Sequence, residues 1–136
     1  MGKGASSVHH AVTTLAPEAS SGRDARRFVQ GALEDWGWPG PAAFQDLQDI
    51  LLLTSELAIN AAHHAHSTME VTVHYWPGAK VKVEVHDEGE GMPRVHQPAT
   101  FEESGRGLAL VDLLSESWGV HSAALGKTVW FQLQLR

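Results

Sequence analysis

Two runs of strict alternation flanking a short turn signal constrain the fold more than any other feature of this chain. Met69, Val71, Val73 and Tyr75 fall on one side, Pro77-Gly78 interrupts, and Val81, Val83 and Val85 then alternate with Lys80, Lys82, Glu84 and His86. A strand with one buried face shows this period of two, and a Pro-Gly pair between two such strands reads as a hairpin. A hairpin with one apolar face is marginal alone in water, so the chain must supply further strands and a cover.

The cover is legible just upstream. From about Ala42 to Ala65 the positions Leu47, Ile50, Leu53, Leu57, Ala61 and Ala65 form one helical stripe with no Gly or Pro inside it. Leu51, Leu52, Ala58 and Ile59 widen the stripe, which predicts a helix packed on more than one side. An earlier helix, capped by Ser20 or Ser21, carries Ala25, Phe28, Val29, Ala32 and Leu33 at helical spacing and stops before Gly37, Pro39, Gly40 and Pro41. Val8 to Leu15, ending at Pro17, reads as an edge strand. After the hairpin, Asp87 to Gly107 is aperiodic and rich in Gly, Pro and charge, the mark of a functional stretch such as a lid over a site. A third helix is expected from near Gly105 through Leu108, Val111, Leu114 and Trp118, with Gly119 as its C-cap. Val120 to Leu125 and Lys127 to Leu135 then close the chain as a second antiparallel pair turning at Gly126. Hairpins rather than crossovers, with helices between them, predict an α/β (α+β) two-layer sandwich, its sheet largely antiparallel and its helices on one face. Residues 1–7 are expected to be a flexible extension and 8–136 a single domain.

Composition narrows the function. The 136 residues carry 10 Lys+Arg against 16 Asp+Glu, a formal charge of −6, with 43% hydrophobic and 19% charged residues. No basic stripe is present to neutralise phosphates, which argues against nucleic acid or an anionic membrane as partner. Zero cysteines exclude a disulfide framework, a thiolate metal site and a cysteine nucleophile. No apolar run approaches a membrane span and no secretory pattern opens the chain, so the expected localisation is cytoplasmic. The nine histidines include His63-His64 and His9-His10, but H-E-x-x-H is missing, so they read as surface residues.

Three constellations can carry chemistry. Glu56 and Asn60, at i and i+4, project from one side of the second predicted helix. A carboxylate and an amide so placed can activate a hydroxyl and offer oxygen to a hard cation such as Mg²⁺, and the same spacing also suits a polar edge facing solvent. Asp87-Glu88-Gly89-Glu90-Gly91 follows a strand directly. Its glycines let backbone approach a flat ligand and its first carboxylate can accept from an exocyclic amine, though an ordinary acidic loop has the same composition. Ser104-Gly105-Arg106-Gly107-Leu108 opens a helix. Bare N–H groups there suit phosphate, and a plain loop-to-helix junction also uses glycine.

The order of these pieces resembles the GHKL ATPase superfamily, which includes gyrase, sensor histidine kinases and the bacterial anti-sigma-factor serine kinases. Glu56-Leu57-Ala58-Ile59-Asn60-Ala61-Ala62-His63-His64-Ala65 is similar to the N-box, Asp87 to Pro93 to the G1 box, and Ser104 to Val111 to the G2 box. The closing Gly126-Lys127-Thr128-Val129-Trp130-Phe131 also resembles the small stand-alone actinobacterial members. The resemblance runs from about Phe44 to Leu135 and implies a Bergerat-type ATP-binding fold with a mixed, largely antiparallel sheet. It implies that Asn60 holds Mg²⁺, that Glu56 is the general base, and that Asp87 accepts from the adenine amine with Thr128 nearby. Gly89, Gly91 and Met92 would pass the base and ribose, and His64 would sit at the ligand edge. Ser104, Gly105, Arg106, Gly107 and Leu108 would meet the phosphates, with residues 92–104 as the ATP lid.

No phosphoacceptor-histidine helix pair accompanies the boxes, which sets the chain apart from sensor histidine kinases. The resemblance therefore implies an Mg²⁺-dependent ATP-binding protein serine kinase of the anti-sigma type. Such a protein phosphorylates a small antagonist and controls a sigma factor, so the implied partners are a sigma factor, its anti-sigma-factor antagonist, and a second copy in a homodimer. The alternative is a non-catalytic module that binds ATP, or no nucleotide, and sequesters a partner.

Overall fold

The computed structural model describes residues 8–38, 43–65, 67–89, 109–122 and 125–135, apart from the side chains of residues 64 and 65. The predicted hairpin is its centre. Strand β2 (Met69–Trp76) pairs antiparallel with β3 (Lys80–Asp87), Val73 opposite Val83 and Met69 opposite Asp87. The turn runs through Pro77, Gly78 and Ala79, with Gly78 at φ 76° and Ala79 N donating to the Trp76 carbonyl. The left-handed φ is why glycine stands there.

Strand β1 (His9–Leu15) joins the free side of β2 as the edge strand expected from sequence, and β5 (Lys127–Gln134) joins the free side of β3. Strand β4 (Ser117–Ser122) lies outside β5, giving the order β1-β2-β3-β5-β4. Every pairing among the described residues is antiparallel, so the expected mixture reduces to its antiparallel part.

Alternation decides what each face does. Val71, Val73, Tyr75, Val81, Val83, Val85, Val129, Phe131 and Leu133 are buried against helices α1 (Ser21–Asp35) and α2 (Phe44–Ala65). Helix α2 is buried around much of its girth, because Ile50, Leu53, Leu57, Ala58 and Ala61 meet the core while α1 packs alongside. The helices pack closely at Gly22, where an added Cβ would press on the Ile59 side chain. Truncating Phe131, fully buried in the middle of β5, to Ala is expected to cost ~3–5 kcal/mol, read by chemical denaturation.

The open face holds much of the histidine content. His10 stacks on His74, His74 Nε2 lies 2.9 Å from Glu84 Oε1, and His121 stacks on Trp130. No trio of His or acidic side chains among the described residues gathers to hold a metal. At the far end of β2, Trp36, Trp38 and His9 surround Tyr75. Burial raises the Tyr75 pKa above 10.0. The unfolded chain then ionises first, so stability is full below pH 10 and falls as pH climbs towards the folded value. Denaturation followed between about pH 8 and pH 11 should show a smaller loss in Tyr75→Phe than in the wild-type chain.

The third helix departs from expectation at its end. Residues 109–114 are helical, but Trp118 and Gly119 belong to β4, paired with Phe131 and Trp130. Ser115 Oγ and N both bond back to the Val111 carbonyl, and Glu116 N then donates to Gln132 O at 2.8 Å, which starts the strand early. Gly119 is therefore not a helix cap. It leaves room for the Trp130 indole, whose nearest atom stands 3.0 Å from where a Cβ would be. The start of that helix at Gly105 and Leu108, the flexible extension over 1–7 and the lid over 92–104 all lie outside the described residues.

Candidate functional site

Strand β3 ends on the helix-covered face with a carboxylate in phase with three buried valines. Asp87 continues the series Val81, Val83, Val85 and is 1% exposed. A charge so buried needs partners, and it has two on a single oxygen. Gly89 N donates to Oδ1 at 2.9 Å across the bend, and Lys127 Nζ donates to the same Oδ1 at 3.1 Å. Lys127 is opposite Asp87 in the β3–β5 register and is itself 2% exposed. The second oxygen, Oδ2, is buried and accepts no hydrogen bond from the described residues.

The turn into β5 fixes this arrangement. Gly126 has φ 88°, and a Cβ there would fall on the Asp87 carbonyl oxygen and the Glu88 Cα. Gly126→Ala is expected to cost more than the ~1–3 kcal/mol of a left-handed non-glycine residue, because the chain must also retreat from Asp87. A denaturant titration measures the loss.

Helix α2 supplies the second group. Glu56 and Asn60 are one turn apart, as their spacing predicts. Asn60 is 3% exposed, and its Oδ1 is buried without a hydrogen-bond partner among the described residues. That excludes the solvent-facing edge for Asn60, whereas Glu56 is half-buried. A buried orphan acceptor costs ~1–3 kcal/mol, which a fold tolerates where a ligand supplies the missing partner. A neutral amide oxygen suits a hard cation, and Mg²⁺ takes few protein ligands because it keeps waters and bridges phosphates. Asn60 therefore fits that role.

Thr128 requires a correction. It is next to Lys127 in sequence but points to the open face, where its Oγ1 lies 2.9 Å from His86 Nδ1. Alternation along β5 sends Lys127 and Thr128 to opposite sides of the sheet, so Thr128 does not accompany Asp87 and Lys127 does. Sequence reasoning missed Lys127, although it is in phase with Val129, Phe131 and Leu133 on the buried set. Gly89 is present, and its observed part is to pin Asp87. The side chain of His64, and all of Gly91, Met92, Ser104, Gly105, Arg106, Gly107 and Leu108, lie outside the described residues.

Asn60 Oδ1 on α2 and Asp87 Oδ2 at the end of β3, both buried and without a hydrogen-bond partner among the described residues, are acceptors that a ligand carrying an amine and a cation would satisfy. The family model of the histidine kinase-like ATPase domain matches residues 15–133, and the chain belongs to that family. Among solved structures, the RsbU and RsbW domains of Rv1364c from Mycobacterium tuberculosis share the fold at a TM-score of 0.68 and 21% identity. That match covers 93% of this chain but 32% of the other, so this chain spans about a third of its length. No curated protein matches the chain.

Proposed function

We propose that the chain is an ATP-binding protein serine kinase of the anti-sigma type, which transfers the γ-phosphoryl group to a serine of a small antagonist protein. The observation that carries the reading is the pair of buried oxygens without a partner among the described residues, Asn60 Oδ1 and Asp87 Oδ2, on the residues whose motifs resemble the N-box and the G1 box. The fold shared with an RsbW-containing chain supports the anti-sigma assignment.

Asp87 Oδ2 accepts a hydrogen bond from the exocyclic amine of adenine, and Gly89, lacking a side chain, leaves the base room to lie against the backbone. Asn60 Oδ1 would hold Mg²⁺, which would neutralise charge on the phosphates. Glu56, one turn earlier on the same helix face, takes the proton of the attacking serine hydroxyl. Positioning and charge neutralisation are most of what phosphoryl transfer asks of a protein. The phosphate-facing roles of Ser104, Gly105, Arg106, Gly107 and Leu108, the edge positions of His64, Gly91 and Met92, and a homodimer belong to the same proposal.

The test is label transfer. The chain is incubated with Mg²⁺, γ-phosphate-labelled ATP and an anti-sigma-factor antagonist protein, and phosphoserine is sought on the antagonist by mass spectrometry. Stoichiometric phosphoserine supports the kinase. ATP binding without transfer to any antagonist that forms a complex with the chain supports the sequestering module instead.

A further inference from the structure

The hydrogen-bond pattern at Asp87 is asymmetric, and the asymmetry comes from a lysine. A carboxylate has two acceptor oxygens with about four lone-pair sites between them. Here both donors, Gly89 N and Lys127 Nζ, converge on Oδ1, and Oδ2 is left bare although the residue is 1% exposed. Lys127 reaches this position because the β3–β5 register sets it opposite Asp87 and because Gly126 lets the chain pass against the Asp87 carbonyl. A lysine 2% exposed has given up its water, and Asp87 is its only ion-pair partner among the described residues.

Resting on the reading that Asp87 receives the base, we infer that Lys127 is a positioning residue that makes this subsite selective for 6-aminopurines. Gly89 N and Lys127 Nζ approach Oδ1 from separate segments, one from the bend after β3 and one from β5, and together they fix the carboxylate's rotation about its Cβ–Cγ bond. Lys127 also balances the buried negative charge, so a neutral base meets a neutral pair. What remains is one fixed acceptor, Oδ2, on which neither described donor converges. A 6-amino group satisfies that acceptor, a purine with hydrogen at that position leaves it unpaired, and a 6-oxo group sets oxygen against oxygen. Without Lys127 the carboxylate keeps one donor, swings about χ2, and loses the fixed direction on which the discrimination depends.

The experiment compares ATP with purine riboside triphosphate, which lacks the 6-amino group, by titration calorimetry in Mg²⁺ on the full chain. The wild-type chain is expected to favour ATP by roughly 10- to 100-fold, the range for one hydrogen bond to a charged group. Lys127→Met is expected to reduce that preference to below about threefold while affinity for purine riboside triphosphate changes little, and Lys127→Arg, which restores a cationic donor, to recover most of it. A merely structural lysine would weaken both nucleotides by the same factor, and an unchanged preference in Lys127→Met overturns the inference. Should that variant fail to fold because Asp87 is stranded, Lys127→Gln takes its place. Its amide nitrogen is uncharged and one bond nearer the backbone than Nζ, so the donor to Oδ1 is lost, and the preference must still fall at least threefold or the inference is wrong. A wild-type chain that binds ATP and the deaminated analogue equally overturns the base-subsite reading itself. A wild-type chain that discriminates, with variants that discriminate as well, overturns only the role of Lys127.

Discussion

Glu56→Gln is expected to reduce phosphoserine formation by roughly 10²- to 10⁴-fold, the contribution typical of a positioned general base, while the Kd for ATP stays within about threefold. The amide keeps the size of the side chain and its place one turn before Asn60 on α2, so packing is preserved and proton acceptance is removed. Single-turnover phosphoryl transfer and calorimetric ATP binding, measured on the same preparation, separate the two effects. Full transfer activity in Glu56→Gln would remove Glu56 as the base. A parallel loss of ATP affinity would make it a binding residue instead.

Asn60→Ala is expected to act in the opposite way on stability and on ligand. In the free chain its Oδ1 is buried and accepts nothing from the described residues, so deleting it removes a desolvated orphan rather than a hydrogen bond. The melting temperature should hold steady or rise, the small cavity being offset by relief of that acceptor. Mg²⁺-dependent ATP affinity should fall by at least the ~10- to 100-fold that loss of even an outer partner costs a metal site. A variant that melts much earlier and binds MgATP as before would show that Asn60 serves the core.

How far the sequence carried this account depended on which residues broke a pattern. Hydrophobic alternation specified β2, β3 and β5 and their buried faces, because period two leaves one choice of face when a cover is present. The third helix ran too far on paper, since Trp118 continues a helical spacing and Gly119 looks like a cap. Pairing with β5 outcompeted that local preference, and no local signal reports what Trp130 requires of Gly119. Glu56, Asn60 and Asp87 stood out as candidates from spacing and family pattern, but which of them faced water did not. Thr128, expected near Asp87, points to the open face because strand phase along β5 places it there. The apolar residues Val129, Phe131 and Leu133 place Lys127, two residues before Val129, on the buried side. A lysine in phase with core residues was the available sign of a buried ion pair.

The most direct measurement is titration calorimetry of the wild-type chain with ATP, once with Mg²⁺ and once with excess EDTA. The account predicts saturable one-site binding with Mg²⁺, markedly weaker binding in EDTA, and a melting temperature raised by several degrees at ~100 times Kd. No heat with either solution, together with an unshifted melting temperature, would contradict it and leave a fold of this family without its ligand.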